Sequence, residues 1–115
     1  MRPVWLEIPT TDVEISKRFY ARVLGWEFEV SPSGMTLVKD ENGPFGHFWP
    51  LKGRLPKRPQ VSQYFIVKSV APVLRRAERY GGEIIQPRRK LADGTGWVGE
   101  FTDPIGIVWG VHCPK

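Results

Sequence analysis

Apolar side chains recur at three- and four-residue spacing between residues 13 and 24. This spacing predicts a helix of about three turns with one buried face. Asp12 is suited to accept hydrogen bonds from the first-turn amides, and Gly25 is suited to end the helix in a left-handed conformation. The predicted buried stripe consists of Ser16, Phe19, Tyr20, Val23 and Leu24. Alternating apolar and acidic residues over 26–30 then predict a strand with one buried face.

The order of strand, helix and strand occurs again in the second half of the chain. Between residues 62 and 86, Ser69 replaces Asp12 as the helix cap and Gly81 replaces Gly25. A Gly-x-x-Trp strand also occurs in each half, at 46–49 and 106–109. Coincidence would have to be invoked separately at each matched position, so we interpret the chain as an internal duplication.

The complete pattern predicts two helices and eight strands. The helices are predicted at 13–24 and 70–80, and the strands at 3–9, 26–30, about 35–39, about 45–51, 62–68, 83–87, about 96–102 and about 106–112. We expect module one over 1–51, a linker over 52–60 and module two over 61–115. The irregular segment 88–96 is predicted to be a mobile lid.

Composition limits the class of protein. The 115 residues are 41% hydrophobic and include five Trp and six Phe, which suffices for the core of one domain. The sequence has no run of 18 apolar residues and no signal-peptide pattern, so we expect a cytoplasmic protein. With Cys113 as the only cysteine, neither an internal disulfide nor a cysteine-based zinc cluster can form.

The net charge is +5, and basic residues are clustered. They are Lys52, Arg54, Lys57 and Arg58 in the linker, Arg75, Arg76 and Arg79 on the second helix, and Arg88, Arg89 and Lys90 after it. Either these clusters are solvated surface or they attract an anionic ligand. Nucleic acid is disfavoured as a partner, because the aromatic residues are spaced as a core and are not interleaved with the basic ones.

Several short motifs together resemble one known group of proteins. They are Asp12, Phe19-Tyr20, Leu24-Gly25-Trp26, Gly81-Gly82, Asp103-Pro104-x-Gly106 and the opening Trp5-Leu6-Glu7-Ile8-Pro9-Thr10-Thr11-Asp12. The chain resembles the glyoxalase, bleomycin-resistance and extradiol-dioxygenase group, the vicinal oxygen chelate superfamily. The resemblance implies an α+β fold of two βαβββ modules that form a curved eight-stranded cup around a ligand. It also implies a homodimer.

Enzymes of this superfamily mostly hold a divalent metal with His, Gln or Glu side chains from the first and last strands of each module. Counting from the motifs places those four positions at Trp5, Pro50, Ser62 and Gly110. These side chains have no suitable donor or a poor one, and Gln63 is the only possible donor among their neighbours. We therefore expect neither a metal centre nor another cofactor.

Polar residues lie two positions further along three of these strands. Glu7, Tyr64 and His112 are candidates to meet inside the cup and to transfer protons or orient a ligand. They are equally suited to an ordinary hydrogen-bonded cluster. His47 is expected in a helix-packed or solvent-facing position, and Trp97 either covers the cavity or is plain core. The expected ligand-lining residues are Trp5, Phe48, Tyr64, Ile66, Trp97 and Val108.

Three functions are compatible with these features. The first is metal-independent binding of a small molecule, anionic or neutral rather than cationic, in an apolar cavity. The second is an enzyme of the superfamily, a lyase, isomerase or dioxygenase, which would use a shifted metal site or Glu/His acid–base chemistry. The third is sequestration of a bleomycin-type drug, but a protein of net charge +5 would repel such cations at long range.

Overall fold

The computed structural model describes residues 5–55 and 63–114. The chain divides into two compact units, Met1–Pro56 and Lys57–Lys115. Each unit combines one helix with one four-stranded sheet, which confirms the predicted α+β class and the tandem modules. Part of the predicted linker, residues 56–60, lies outside the described residues. Within the described residues, no helix is long and apolar enough to cross a membrane.

The first unit follows the order βαβββ. Its elements are β1 (Leu6–Thr10), α1 (Val13–Leu24), β2 (Glu27–Val30), β3 (Thr36–Asp40) and β4 (Gly43–Pro50). The strands lie side by side in the order β1-β4-β3-β2. β1 runs parallel to β4, and the other neighbours are antiparallel.

Local interactions define the ends of α1. The Asp12 side chain accepts a hydrogen bond from the Ile15 amide at 3.1 Å. Gly25 ends the helix with φ 72°, a left-handed conformation that glycine adopts at little steric cost. Ser16 is buried on the sheet-facing side, where its hydroxyl lies 2.7 Å from that of Thr10. The hydrogen bond satisfies both buried hydroxyls, which would otherwise be costly to remove from water.

Aromatic rings fill the space between α1 and the sheet. Phe48 of β4 is 1% exposed, and its ring centroid lies 5.9 Å from that of Tyr20 on α1. Phe28 stacks on Phe48 at 5.6 Å. Ile8 and Val38 are also buried. Burial of this apolar surface is the main stabilising contribution in the first unit.

The second unit repeats the same order. Its elements are β5 (Tyr64–Ile66), α2 (Val70–Arg79), β6 (Glu83–Lys90), β7 (Trp97–Thr102) and β8 (Val108–Cys113). The strand order is β5-β8-β7-β6, and β5 is parallel to β8. The apolar stripe of α2 is buried and consists of Val70, Val73, Leu74 and Ala77.

The predicted lid over 88–96 has a different structure. Residues 88–90 belong to β6, and Lys90 pairs with Trp97 of β7. Residues 91–96 form a tight hairpin turn between β6 and β7, in which the Leu91 amide donates to the Gly96 carbonyl at 2.8 Å. The sequence suggested an irregular loop because its basic and polar residues lack strand alternation. An edge strand tolerates such residues, since one side of it is solvated.

The two helix caps make a matched pair for mutation. Asp12→Ala should lower the free energy of unfolding by about 1 kcal/mol, because the Asp12 side chain satisfies a first-turn amide. Ser69 occupies the corresponding position before α2 but makes no side-chain capping bond. Ser69→Ala should therefore change it by a few tenths of a kcal/mol or less, as measured by urea denaturation. Equal losses in the two variants would contradict the capping assignment.

Candidate functional site

Three side chains of the first unit form a hydrogen-bonded chain. The Trp5 indole Nε1–H donates to Nδ1 of His47 at 2.7 Å. Nε2 of the same imidazole lies 3.0 Å from Oε2 of Glu7. An indole N–H is only a donor, so Nδ1 must accept. The imidazole proton of the neutral ring is therefore on Nε2, and it is donated to Glu7.

Strand register places these three hydrogen-bonded side chains on the side of the sheet opposite α1. Glu7 is paired with His47, His47 with Leu37, and Leu37 with Glu29. These four residues form one row across the sheet, and we call their side of the sheet the Glu7 face. The neighbouring Phe48 points to the other side, because successive residues of a strand alternate. On the Glu7 face, the His47 side chain is 15% exposed and that of Glu7 is 56% exposed.

Among the residues that the structure describes, the Glu7 face carries more negative than positive charge. Glu27 pairs with Lys39, two residues from the pair of Glu29 and Leu37, so it lies on the same face. Lys39 is a cation on this face, and its Nζ lies 3.9 Å from Glu29. The face therefore presents three carboxylates around Lys39 and the imidazole of His47.

The predicted site residues of the first unit are only partly brought together. Trp5 and Glu7 meet through His47, whereas Phe48 lies on the opposite face in the core. His47 was predicted to be helix-packed or solvent-facing, and it is instead the residue that links the other two. Knowing that β1 pairs in parallel with β4 would have identified His47 as a site residue, because that pairing places His47 opposite Glu7.

In the second unit, several predicted residues share the sheet face opposite α2, which we call the Tyr64 face. Tyr64 pairs with Gly110 and Ile66 with His112, and Val108 is two residues from Gly110. Tyr64, Ile66 and Val108 are exposed. Glu7 belongs to the other unit, so its convergence with Tyr64 and His112 stays a prediction.

Trp97 lies on the other side of the second sheet from His112. A Cβ atom on Gly99 would come within 2.8 Å of the Val70 and Leu74 side chains, so Gly99 faces α2. Trp97 shares that side by strand alternation, whereas His112 pairs with Val98 on the opposite side. The Arg88 guanidinium lies 3.6 Å from the Trp97 ring centroid, a cation–π contact.

His112 contacts the hairpin between β6 and β7. Its Nε2 lies 2.9 Å from the Thr95 carbonyl. The pKa of Asp93 is lowered from its ordinary value mainly by a hydrogen bond from the Thr95 hydroxyl. A hydrogen bond from the Thr95 amide contributes less, and the charge of His112 contributes least. Because the folded-state pKa is depressed, the stabilisation is present above the unfolded-state pKa and is lost as pH falls through the folded one. These contacts give His112 a role in holding the hairpin.

Strand register corrects one of the four positions that the resemblance implies for metal ligands. Matching the two halves through Trp49 and Trp109 assigned Pro50 as the counterpart of Gly110. In the structure, Gly110 pairs with Tyr64 in the same way that His47 pairs with Glu7, and both Tyr64 and Glu7 lie five residues before a helix cap. The counterpart of Gly110 is therefore His47.

The residues at these positions do not fit a metal centre. Trp5 and Gly110 supply no ligand atom, and a Cβ at Gly110 would collide with the ring of Tyr64. Both ring nitrogens of His47 already have hydrogen-bond partners. Ser62 lies outside the described residues. Residues 5–55 and 63–114 contain no group of three or more His, Cys, Asp or Glu that could hold a metal ion.

Comparisons with known proteins agree with the resemblance carried by the sequence. Residues 2–39 match the family described as bleomycin resistance protein-like N-terminal. CFP32 of Mycobacterium tuberculosis, which is named as a glyoxylase, is 27% identical over 116 residues, and the match covers 95% of this chain. The corresponding Mycobacterium bovis protein matches equally. This chain spans 44% of the length of these relatives.

Solved structures share the fold at low sequence identity. A glyoxalase-related enzyme from Fulvimarina pelagi is 18% identical with a TM-score of 0.78, over 98% of this chain and 88% of that one. A glyoxalase/bleomycin resistance protein/dioxygenase family enzyme from Burkholderia phytofirmans is 16% identical with a TM-score of 0.77, over 100% of both chains. The Listeria monocytogenes fosfomycin resistance protein FosX, as a variant complexed with Mn(II) and 1S,2S-dihydroxypropylphosphonic acid, is 18% identical with a TM-score of 0.74, over 95% of this chain and 86% of that one.

The chain thus has the glyoxalase/bleomycin resistance/dioxygenase fold. The resemblance to the vicinal oxygen chelate superfamily is confirmed by the family match, the glyoxylase-named relatives and the structural neighbours.

Proposed function

We propose that this protein binds a small molecule without the metal ion of its superfamily, using the Glu7 face as a polar anchor. The observation that carries the proposal is the Trp5–His47–Glu7 chain. His47 is the one described residue at a metal position with a good donor atom, and its Nδ1 lone pair accepts a hydrogen bond from Trp5. An imidazole nitrogen needs that lone pair to coordinate a metal.

We propose an anionic or neutral ligand, because the net charge of +5 attracts anions and repels cations at long range. The complex of FosX with Mn(II) and a phosphonic acid offers a comparison. In this chain, Trp5 and Gly110 replace potential metal ligands with groups that cannot coordinate. Direct hydrogen bonds to protein groups would then be needed to hold a polar ligand.

Thermal denaturation in the presence of metal salts tests the metal-independent part of the proposal. Wild type and His47→Ala, prepared without a histidine tag, should both show no stabilisation by Zn, Ni, Mn or Fe salts. A ligand that binds the native state raises apparent stability, so a bound metal would raise Tm. A rise in wild type that His47→Ala abolishes would contradict the proposal.

The same assay tests small-molecule binding. A panel of neutral and acidic organic molecules should include at least one that raises Tm in proportion to the logarithm of its concentration. Glu7→Gln should weaken that response, whereas the exposed Glu41→Gln should leave it unchanged. If Glu7→Gln has no effect on an identified ligand, Glu7 is not its anchor.

An enzymatic function is the second candidate, and the pairing of Glu7 with His47 at 3.0 Å favours it. A carboxylate and an imidazole in contact can exchange a proton with a bound molecule. Tyr64 and His112 stay predicted participants, and the superfamily suggests a lyase, isomerase or dioxygenase. If the ligand is turned over, Glu7→Gln should reduce kcat more than it raises KM. Unaltered ligand after prolonged incubation would leave binding as the function.

We also propose that the protein is a cytoplasmic homodimer, on the resemblance to its superfamily. Light scattering coupled to size-exclusion chromatography tests the dimer directly. A mass near twice 13.2 kDa is expected, and a mass of one chain would contradict it.

A further inference from the structure

We infer that Trp5 acts as a positioning residue, which holds the His47 imidazole with its proton toward Glu7 and thereby presents Glu7 to a neutral ligand that donates a hydrogen bond. The inference rests on the proposed function and deepens it by choosing between the two ligand classes. The hydrogen-bond-donating group would be a hydroxyl or an N–H.

The first step concerns the proton of His47. A neutral imidazole carries its proton on one of two nitrogens, and its surroundings decide which. Trp5 donates to Nδ1 and so requires the proton on Nε2, where it is donated to Oε2 of Glu7. Without Trp5, the acceptor-only carboxylate of Glu7 would still require the proton on the nitrogen that faces it, but Nδ1 would lose the donor that holds the ring in this orientation. Trp5 therefore holds the imidazole as a donor to Glu7.

The second step concerns the remaining oxygen of Glu7. His47 occupies Oε2, and the Glu7 side chain is 56% exposed, so the carboxylate has capacity for a further donor. An ionised carboxylate is an acceptor only. An ionised ligand carboxylate or a fully ionised phosphonate cannot donate to it, whereas a hydroxyl or N–H can.

The charge around Glu7 favours the same class. Glu27 and Glu29 lie on the Glu7 face, where Lys39 lies 3.9 Å from Glu29. An anion placed against this face would meet like charges at short range, although the +5 net charge attracts it at long range. The net charge of +5 repels cations at long range, and the carboxylates of the Glu7 face repel anions at short range. Neutral molecules are therefore the favoured ligands.

The shape of the ligand follows from two exposed indoles. Trp5 is 44% exposed, and Trp49 is 37% exposed and two residues from His47 on the same strand face. Residues two apart on a strand are separated by about 7 Å. The indoles therefore offer apolar surface beside the Glu7 carboxylate. A flat aromatic ring with a hydroxyl group suits both features.

Nuclear magnetic resonance of the imidazole nitrogens tests the positioning role without any ligand. Long-range proton–nitrogen spectra of wild type above neutral pH should show an unprotonated Nδ1 and a protonated Nε2 for His47. Trp5→Phe should shift the Nδ1 signal, because Nδ1 loses its indole donor, while Nε2 stays protonated toward Glu7. Trp49→Phe should leave both signals unchanged. A protonated Nδ1 in wild type, or no change in Trp5→Phe, would overturn the positioning role even if the fold is intact.

A matched series of small aromatic probes tests the ligand class. Phenol has a donor, anisole has none, and benzoate is an anion of similar size. Phenol should bind about tenfold or more tighter than either of the others, because hydrogen bonds to charged groups are among the strong ones. In Glu7→Gln, the difference between phenol and benzoate should shrink severalfold.

The outcomes separate this inference from the proposed function. Benzoate binding as tightly as phenol, or a phenol–benzoate difference that Glu7→Gln leaves unchanged, would overturn the neutral-donor class. Those results would leave metal independence standing, since that is measured by metal binding. Stabilisation by a metal salt through His47 would instead overturn the proposed function, whichever probe binds.

Discussion

Replacing Phe48 with alanine should lower the free energy of unfolding by about 3–5 kcal/mol, which is enough to leave little folded protein at 37 °C if the protein is only marginally stable. The Phe48 side chain is 1% exposed and packs against the rings of Tyr20 and Phe28. Its removal deletes buried apolar surface and leaves a cavity under α1. Urea denaturation monitored by circular dichroism measures the loss.

The next residue along the strand is the control. Trp49 points to the Glu7 face and is 37% exposed, so Trp49→Ala should cost about 1 kcal/mol or less. Phe48→Leu, which keeps most of the volume, should fall between the two. If Trp49→Ala is as costly as Phe48→Ala, the faces assigned to β4 are wrong, and Phe48 returns to the ligand-binding surface predicted from the sequence.

The second large effect is expected at Asp103, a carboxylate that is 1% exposed. Its Oδ1 accepts hydrogen bonds from three consecutive amides, those of Ile105, Gly106 and Ile107, at 2.8–2.9 Å. Asp103→Ala should lower the free energy of unfolding by about 3 kcal/mol, because it leaves the partly buried Ile105 and Ile107 amides without this acceptor and the Gly106 amide with only the Asp103 carbonyl at 3.2 Å. Chemical denaturation measures the loss.

Two other variants make the Asp103 experiment specific. Asp103→Asn keeps an acceptor oxygen and should retain part of the stability. Asp40→Ala removes an exposed turn bond, from the Asn42 amide at 2.8 Å, and should cost about 1 kcal/mol or less. If Asp103→Ala is as stable as wild type, the three amide bonds contribute little.

The first helix shows what the sequence could predict. Its start after Asp12, its end at Gly25 and its buried stripe follow from local chemistry. The structure reproduces the bounds 13–24 and buries the predicted stripe except for Leu24, which is half-buried. Capping, left-handed termination and 3.6-residue periodicity act within a few residues of each other. The second helix was predictable from its 3.6-residue stripe alone, because Ser69 makes no side-chain capping bond and the C-cap is Tyr80 with φ −102°.

The candidate site was harder to predict because it depends on contacts between distant residues. Trp5 and His47 are 42 positions apart, and only the parallel pairing of β1 and β4 brings them together. The Gly-x-x-Trp motif misled the comparison of the two halves. Gly106 lies in a turn with φ 116°, whereas Gly46 lies within β4, so the two motifs are not structural counterparts. The sequence therefore placed the potential metal position at Pro50 and a ligand-lining residue at Phe48. It assigned neither role to His47.

Elemental analysis of the untagged protein, purified without chelators and with all common divalent metals in the growth medium, tests the central claim most directly. We predict far less than one metal ion per chain, because Trp5 and Glu7 already engage both nitrogens of His47. One tightly held Zn, Ni, Mn or Fe ion per chain, lost in His47→Ala, would contradict the account.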